Sequence, residues 1–205
     1  DCIFDVGSNI GLFTLFANQM CKNPRIFAFE PIPPTFDILH TNVSLYDLDV
    51  KLFELGMADK VDTASFTFYR EAAGLSGRTD YAANDKQTTK TVIANWFNQV
   101  AAGEKLEAAE LDEFMDHMMS GESFDCRLST LSNVIRENGV ERIDLLKVDV
   151  EGGELDVLNG IEEADWPRIK QVVLEVDTED LLKQVSFKLE THGFNLAVDK
   201  TTTVR

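Results

Sequence analysis

Residues 1–6 (DCIFDV) form a short apolar run that stops at Gly7, and the apolar spacing of residues 10–20 (IGLFTLFANQM) then predicts a buried helix. The pattern repeats downstream. Residues 25–30 (RIFAFE) read as a strand that ends at Pro31. Pro33 and Pro34 suit the first turn of a helix carrying Phe36, Leu39, Val43 and Tyr46 at helical spacing. Residues 50–55 are strand-like, and residues 64–69 (ASFTFY) alternate as an antiparallel strand does. Ser129 or Thr130 caps a helix that runs to Asn138 and closes at Gly139. Beyond it come a buried strand over 143–148, a short helix over 153–159, a strand over 171–176, a helix over 179–192 and the start of a strand over 194–198. Strands alternating with helices predict an α/β fold, with a doubly wound, mainly parallel sheet and right-handed crossovers.

One stretch departs from this alternation. Residues 72–90 are polar and read as loop, whereas 91–101 and 104–119 read as helices separated by Gly103 and closed by Gly121. The stretch is too long for an ordinary connection, which points to a lid, a docking element or a mobile segment. The expectation is therefore a single domain over 1–205 with an acidic helical insertion at about 80–122.

Charge narrows the partners. The chain has 36 acidic against 19 basic residues, a formal net charge of −17. That argues against nucleic acid, whose phosphates need a basic face, and against an anionic membrane surface. Residues 104–125 hold eight acids against Lys105 alone, so this block contributes −7. Three widely spaced cysteines give neither a disulfide framework nor a metal motif, and favour a reducing, cytoplasmic compartment. No apolar run approaches the ~20 residues of a membrane span, and no signal peptide opens the chain. A start at Asp1, directly in a strand, reads as a domain cut close at its ends from a longer protein.

The turn Asp5-Val6-Gly7-Ser8-Asn9-Ile10-Gly11 lies where the first strand gives way to a helix, at the ligand crevice of a doubly wound sheet. Its spacing is G-x-x-x-G. It is not the dinucleotide fingerprint and lacks a Walker lysine, which disfavours an NAD(P) dehydrogenase. Asp5 beside the turn disfavours a pyrophosphate and favours a cationic or hydroxyl-bearing ligand. Glu30 follows Gly11 by 19 residues, where an acid accepts both hydroxyls of a ribose. The alternative is a plain strand-to-helix turn with a solvated glutamate.

DVGSNIG (5–11), FEPIPPTF (29–36), LGMAD (55–59) and LLKVDVEGGELDVLNGI (145–161), extended by QVVLEVD (171–177) and LETHGF (189–194), resemble the FkbM family of S-adenosylmethionine-dependent methyltransferases. The similarity is greatest to the O-methyltransferase domains of polyketide and nonribosomal peptide synthases. It implies a class I, Rossmann-like fold, S-adenosylmethionine as cofactor, and flanking synthase domains as possible neighbours. The resemblance implies cofactor contacts at Asp5, Gly7, Ser8, Asn9, Gly11, Glu30, Pro31, Gly56, Met57, Ala58 and Asp149. It departs from the family at Asp177, where a histidine is common, so a histidine base at that place is not expected.

A hydroxyl acceptor is a poor nucleophile and needs a base or a metal to activate it. Asp149, Glu151, Glu175 and Asp177 fall at the ends of adjacent strands and are expected to face one crevice, as general base or as Mg²⁺ ligands. Glu151 also reads as an acid favourable to the dipole of the helix after it. Ser76 and Arg78, in the loop entering the insertion, are candidates for the acceptor pocket. Lys147 is expected to pair with a strand-end acid. His40 and His192 read as structural, His117 as a weaker candidate, and Trp96, Phe97, Met115, Met118 and Met119 as packing residues of the insertion. The leading expectation is methylation of a hydroxyl on a small metabolite or on a carrier-bound polyketide or peptide. The competing one is a non-catalytic docking module that uses the acidic insertion.

Overall fold

A computed structural model of the chain describes residues 1–82, 117–118 and 120–199. Its strands in chain order are β1 (Cys2–Val6), β2 (Arg25–Phe29), β3 (Val50–Phe53), β4 (Gly56–Met57), β5 (Asp62–Tyr69), β6 (Gly77–Arg78), β7 (Gly121–Ser129), β8 (Leu145–Val148) and β9 (Val172–Leu174). The helices are α1 (Leu12–Met20), α2 (Pro33–Leu45), α3 (Thr79–Ala82), α4 (Leu131–Glu137), α5 (Glu154–Asn159) and α6 (Glu179–Thr191), with 3-10 turns at Arg70–Leu75 and Trp166–Arg168.

Five strands form a parallel sheet in the order β3-β2-β1-β8-β9. The chain winds outward from β1 to β3, then crosses back and winds outward again from β8. The order therefore reverses between β1 and β8, the switch point at which open α/β sheets bind ligands. Side chains alternate between the two faces. Phe4, Val6, Phe27, Phe29, Leu146 and Val148 enter the main core with Leu131, Leu158 and Leu189 from α4, α5 and α6. Phe4 and Phe27 meet at 4.7 Å between ring centroids, and Phe29 stacks on Phe53 at 4.8 Å. The fully buried rings of Phe4, Phe27 and Phe29 each contribute about 1.5–3 kcal/mol. On the opposite face Ile3 and Ile26 pack on Ala17 of α1, and Ala28 on Leu39 and Val43 of α2.

The second sheet, ordered β4-β7-β5-β6, has a partner the sequence pattern did not reveal. β5 is antiparallel, as expected, and pairs with β7 from Asp62↔Leu128 to Tyr69↔Gly121. Phe124, Cys126 and Leu128 alternate inward against Phe66, Phe68 and Ile32, while Glu122, Asp125 and Arg127 face water. The end of the expected insertion, Gly121 and Glu122, is therefore strand. Residues 72–90 also begin with more order than a loop, namely a 3-10 turn, β6 and α3. Of the helices expected over 91–101 and 104–119, residues 117 and 118 are helical. The rest, with Trp96, Phe97, Met115 and Met119, lies outside the described residues.

Several boundaries differ from expectation, among them the starts of β8 at Leu145 and of β9 at Val172. α1 starts at Leu12 because Gly11 is a left-handed N-cap, with φ 90°. The strand expected over 50–55 ends at Phe53, and the next strand, β4 at Gly56–Met57, belongs to the other sheet. Residues 194–198 pair with no strand among the described residues. Instead Phe194 and Leu196 pack on the main core, Phe194 edge-on to Trp166 at 6.0 Å. Thr130 and Thr178 cap α4 and α6 through Asn133 and Leu181 N–H groups. Among the described residues no helix is long and apolar enough to cross a membrane.

Candidate active site

The glycine turn is built from the backbone. Gly7, at φ 76°, and Ser8 both donate their N–H groups to the Phe29 carbonyl, at 3.1 and 2.9 Å. A Cβ on Gly7 would lie 1.8 Å from the Asp149 carbonyl oxygen, so the turn is wedged between the ends of β2 and β8. Ser8 Oγ donates to the Asp5 carbonyl at 2.6 Å and accepts the Phe29 N–H at 3.0 Å. Asn9, also left-handed at φ 50°, donates its N–H to Glu30 Oε2 at 3.1 Å, and Ile32 N–H reaches Glu30 Oε1 at 2.9 Å.

Glu30 is 6% exposed. Burial pushes its carboxyl up from 4.5 to about 7, opposed by the Ile32 and Asn9 N–H groups and the Lys147 ammonium, and assisted by Asp5. Because the folded value lies above the ordinary 4.5, the folded state holds the extra proton between pH 4.5 and about 7. The stability from neutral Glu30 is complete below pH 4.5 and is lost as the pH rises to about 7. In urea denaturation, wild type is therefore expected to lose roughly 2 kcal/mol relative to Glu30→Gln between pH 5 and 7.5. Parallel pH profiles for the two proteins would contradict this.

Asp149 and Glu151 form the facing wall. Asp149 N–H donates to the Val6 carbonyl at 3.1 Å, and its carboxylate, 39% exposed, lies 3.4 Å from Lys147 Nζ. Glu151 is left-handed at φ 55°, a conformation that costs a non-glycine residue about 1 kcal/mol or more. The turn that imposes this is tied by buried Glu154, whose Oε1 accepts the Val150 and Gly152 N–H groups at 3.3 and 3.1 Å. Burial raises the Glu154 carboxyl despite those bonds. Gly152 and Gly153 leave space for the Tyr81 ring, with Cβ positions 3.3 Å from Tyr81 Cβ and 3.5 Å from Cε2.

The third wall comes from β6 and α3. The Arg78 guanidinium lies 4.9 Å from the Tyr81 ring centroid, 2.9 Å from Asp80 Oδ2 and 3.2 Å from Asp156 Oδ2. The Tyr81 hydroxyl donates to Asp156, and burial together with that bond raises its pKa well above the ordinary range, so it stays protonated. Ser76 Oγ accepts the Tyr69 N–H at 2.9 Å. The three walls enclose a cleft of about 770 Å³, open solvent included.

Most sequence candidates line this cleft: Gly7, Asn9, Glu30, Pro31, Gly56 and Met57 on one side, Asp149 and Glu151 opposite, Ser76 and Arg78 at the third wall. Others fall elsewhere. Asp5 is fully buried and points away, toward α1, where Thr14 Oγ1 donates to Oδ2 at 2.6 Å and Lys147 Nζ lies 3.3 Å from Oδ1. The parity it shares with Ile3 sends it to that face. Ser8, Gly11 and Ala58 hold backbone and do not line the cleft. Gly11 N–H donates to the Ser8 carbonyl at 2.8 Å, and Ala58 N–H to Ser129 at 2.8 Å.

Glu175 and Asp177 follow β9, adjacent to β8 as expected, but are exposed and do not line the cleft with Asp149 and Glu151. β9 ends at Leu174, and beyond it Val176 still packs on the main core while Glu175 and Asp177 keep the exposed parity of Val173. No group of three or more His, Cys, Asp or Glu side chains is assembled for a metal ion among the described residues. His40 and His117 are exposed. His192 stacks on Trp166 at 4.0 Å with Nδ1 2.8 Å from the Lys188 carbonyl, the structural role expected of it. Sequence reasoning missed Tyr81 and Asp156. An aromatic alone in a polar stretch was the available signal for the first, and Asp156 reads as an ordinary first-turn acid.

Known proteins resemble the chain over nearly its whole length. It is 36% identical over 201 residues to the 31-O-demethyl-FK506 methyltransferase FkbM of Streptomyces tacrolimicus, covering 98% of this chain and 75% of that protein. It is 35% identical over 204 residues to the AMB antimetabolite synthetase AmbE of Pseudomonas aeruginosa, covering 96% of this chain but 10% of the synthetase. It is 32% identical over 209 residues to the methyltransferase sdnD of Sordaria araneosa, covering 97% and 75%. Among solved structures it is similar, at 15% identity and a TM-score of 0.48, to a precorrin-6y C5,15-methyltransferase from Geobacter metallireducens, covering 97% and 66%. The model of the methyltransferase FkbM domain matches residues 5–196. The chain therefore belongs to the FkbM family of methyltransferases.

Proposed function

We propose that the chain is an S-adenosylmethionine-dependent O-methyltransferase acting on a hydroxyl of a small metabolite or of a carrier-bound polyketide or peptide intermediate. The observation that carries this reading is one cleft with the glycine turn and Glu30 on one wall and Asp149 and Glu151 on the other. The residues fit the cofactor. Each Glu30 oxygen accepts one backbone N–H and keeps a second lone pair for a ribose hydroxyl. The acids around the cleft suit a sulfonium, and the apolar lining from Met57, Leu55 and Phe66 suits a purine. When bound, S-adenosylmethionine supplies a methyl group on a positively charged sulfur.

The chain's part is alignment, exclusion of water and removal of the acceptor's proton. Asp149 or Glu151 takes that proton. A base needs one carboxylate in reach of the acceptor hydroxyl, and both acids line the cleft. Ser76, Arg78 and Tyr81 border the acceptor end. The name of the FkbM relative, a 31-O-demethyl-FK506 methyltransferase, supports a hydroxyl acceptor. The match to a tenth of a synthetase supports flanking synthase domains. Three free cysteines fit a reducing, cytoplasmic setting.

Isothermal titration with S-adenosylhomocysteine tests the reading. Wild type is expected to bind, and Glu30→Ala to weaken binding by roughly 1–3 kcal/mol through loss of a buried hydrogen-bond partner. A folded wild type that does not bind overturns the assignment. Unchanged affinity in the variant removes Glu30 from the site.

A further inference from the structure

We propose that Lys147 is a positioning residue that locks the glycine turn and the cleft carboxylate Asp149 into one rigid unit. This rests on reading the cleft as the cofactor site. Parallel pairing sets Lys147 directly beside Asp5, and alternation along β8 puts it on the α1 face with Leu145, beneath the Phe13 ring at 5.9 Å. Its side chain is 12% exposed. The ammonium donates to the Gly7 carbonyl at 2.7 Å and forms ion pairs with Asp5 Oδ1 at 3.3 Å and Asp149 Oδ2 at 3.4 Å.

A lysine that only neutralised a buried acid would need Asp5 alone. This one also holds the carbonyl of the residue that opens the turn and a carboxylate on the opposite wall. It thereby bridges the switch point from below, between the two strand ends that the cleft separates. Asp5 anchors the arrangement, since Thr14 fixes its other oxygen.

Two roles separate in a set of variants. Lys147→Met removes all three contacts and strands the buried Asp5 charge. Asp5→Asn combined with Lys147→Met removes the charge as well, while the amide oxygen still accepts from Thr14. The double variant is expected to recover most of the lost urea midpoint yet bind S-adenosylhomocysteine at least tenfold more weakly than wild type. Lys147→Arg, which keeps the charge but presents a planar fork in place of a compact ammonium, is expected to stay folded and bind several-fold more weakly. Asp149→Asn should change affinity less in the Lys147→Met background than in wild type, because the two act through one contact. Affinity restored along with stability in the double variant, or wild-type affinity in Lys147→Arg, overturns the positioning role and leaves the cofactor reading standing. Failure of wild type to bind overturns the cofactor reading and this proposal with it.

Discussion

Gly7→Ala is expected to destabilise the protein by about 3 kcal/mol or more and to abolish binding of S-adenosylhomocysteine. Two effects add. The residue sits at φ 76°, where a Cβ costs about 1 kcal/mol. That Cβ would also stand 1.8 Å from the Asp149 carbonyl, a backbone atom that no rotamer change relieves. The strand ends must therefore move apart at the edge of the cleft proposed to hold the cofactor. Gly139→Ala is the control. It has a similar φ of 57° but nothing within 4 Å of its Cβ, so it should cost about 1 kcal/mol and leave binding unchanged. Equal losses in the two variants, measured by urea denaturation, would contradict the wedged geometry.

The second large effect concerns rate. Replacing the acid that serves as base, by Asp149→Asn or Glu151→Gln, is expected to lower kcat roughly 10²- to 10⁴-fold. Release of S-adenosylhomocysteine in the presence of an acceptor that wild type methylates would report it. Glu175→Gln and Asp177→Asn are expected to stay within a few-fold of wild type, since both side chains are exposed beyond β9 and outside the cleft. The comparison is sharp because all four acids follow neighbouring strands. A large loss at Glu175 or Asp177 with none at Asp149 and Glu151 would move the chemistry to the sheet's outer side.

The parts of this site that local sequence encodes were readable. The glycine turn, Glu30 and the Asp149–Glu151 pair occupy the residues just after strands, where backbone geometry and a short motif decide position together. The direction of Asp5 was not. β1 is a nearly continuous apolar run buried on both faces, so parity does not say which face a lone acid joins. Glu175 and Asp177 share the exposed parity of Val173 on the edge strand, and which face of an edge strand is left uncovered is a tertiary matter. Tyr81, Asp156 and β7 depend on pairings more than 50 residues apart, such as Tyr69↔Gly121 and Tyr81 with Asp156, which no local pattern encodes. The length of the second sheet was hidden for the same reason, although the inward alternation of Phe124, Cys126 and Leu128 carried the signal.

The β5–β7 ladder closes at Tyr69↔Gly121, beside the point where α3 leaves the described fold. Eight paired positions, from Asp62↔Leu128 to Tyr69↔Gly121, therefore brace β6 and α3 through β5. Arg78 and Tyr81 depend on that ladder, whereas Gly7, Glu30 and Lys147 belong to the strands of the other sheet and the turns after them. The third wall can therefore shift relative to the first two without a break in the parallel sheet.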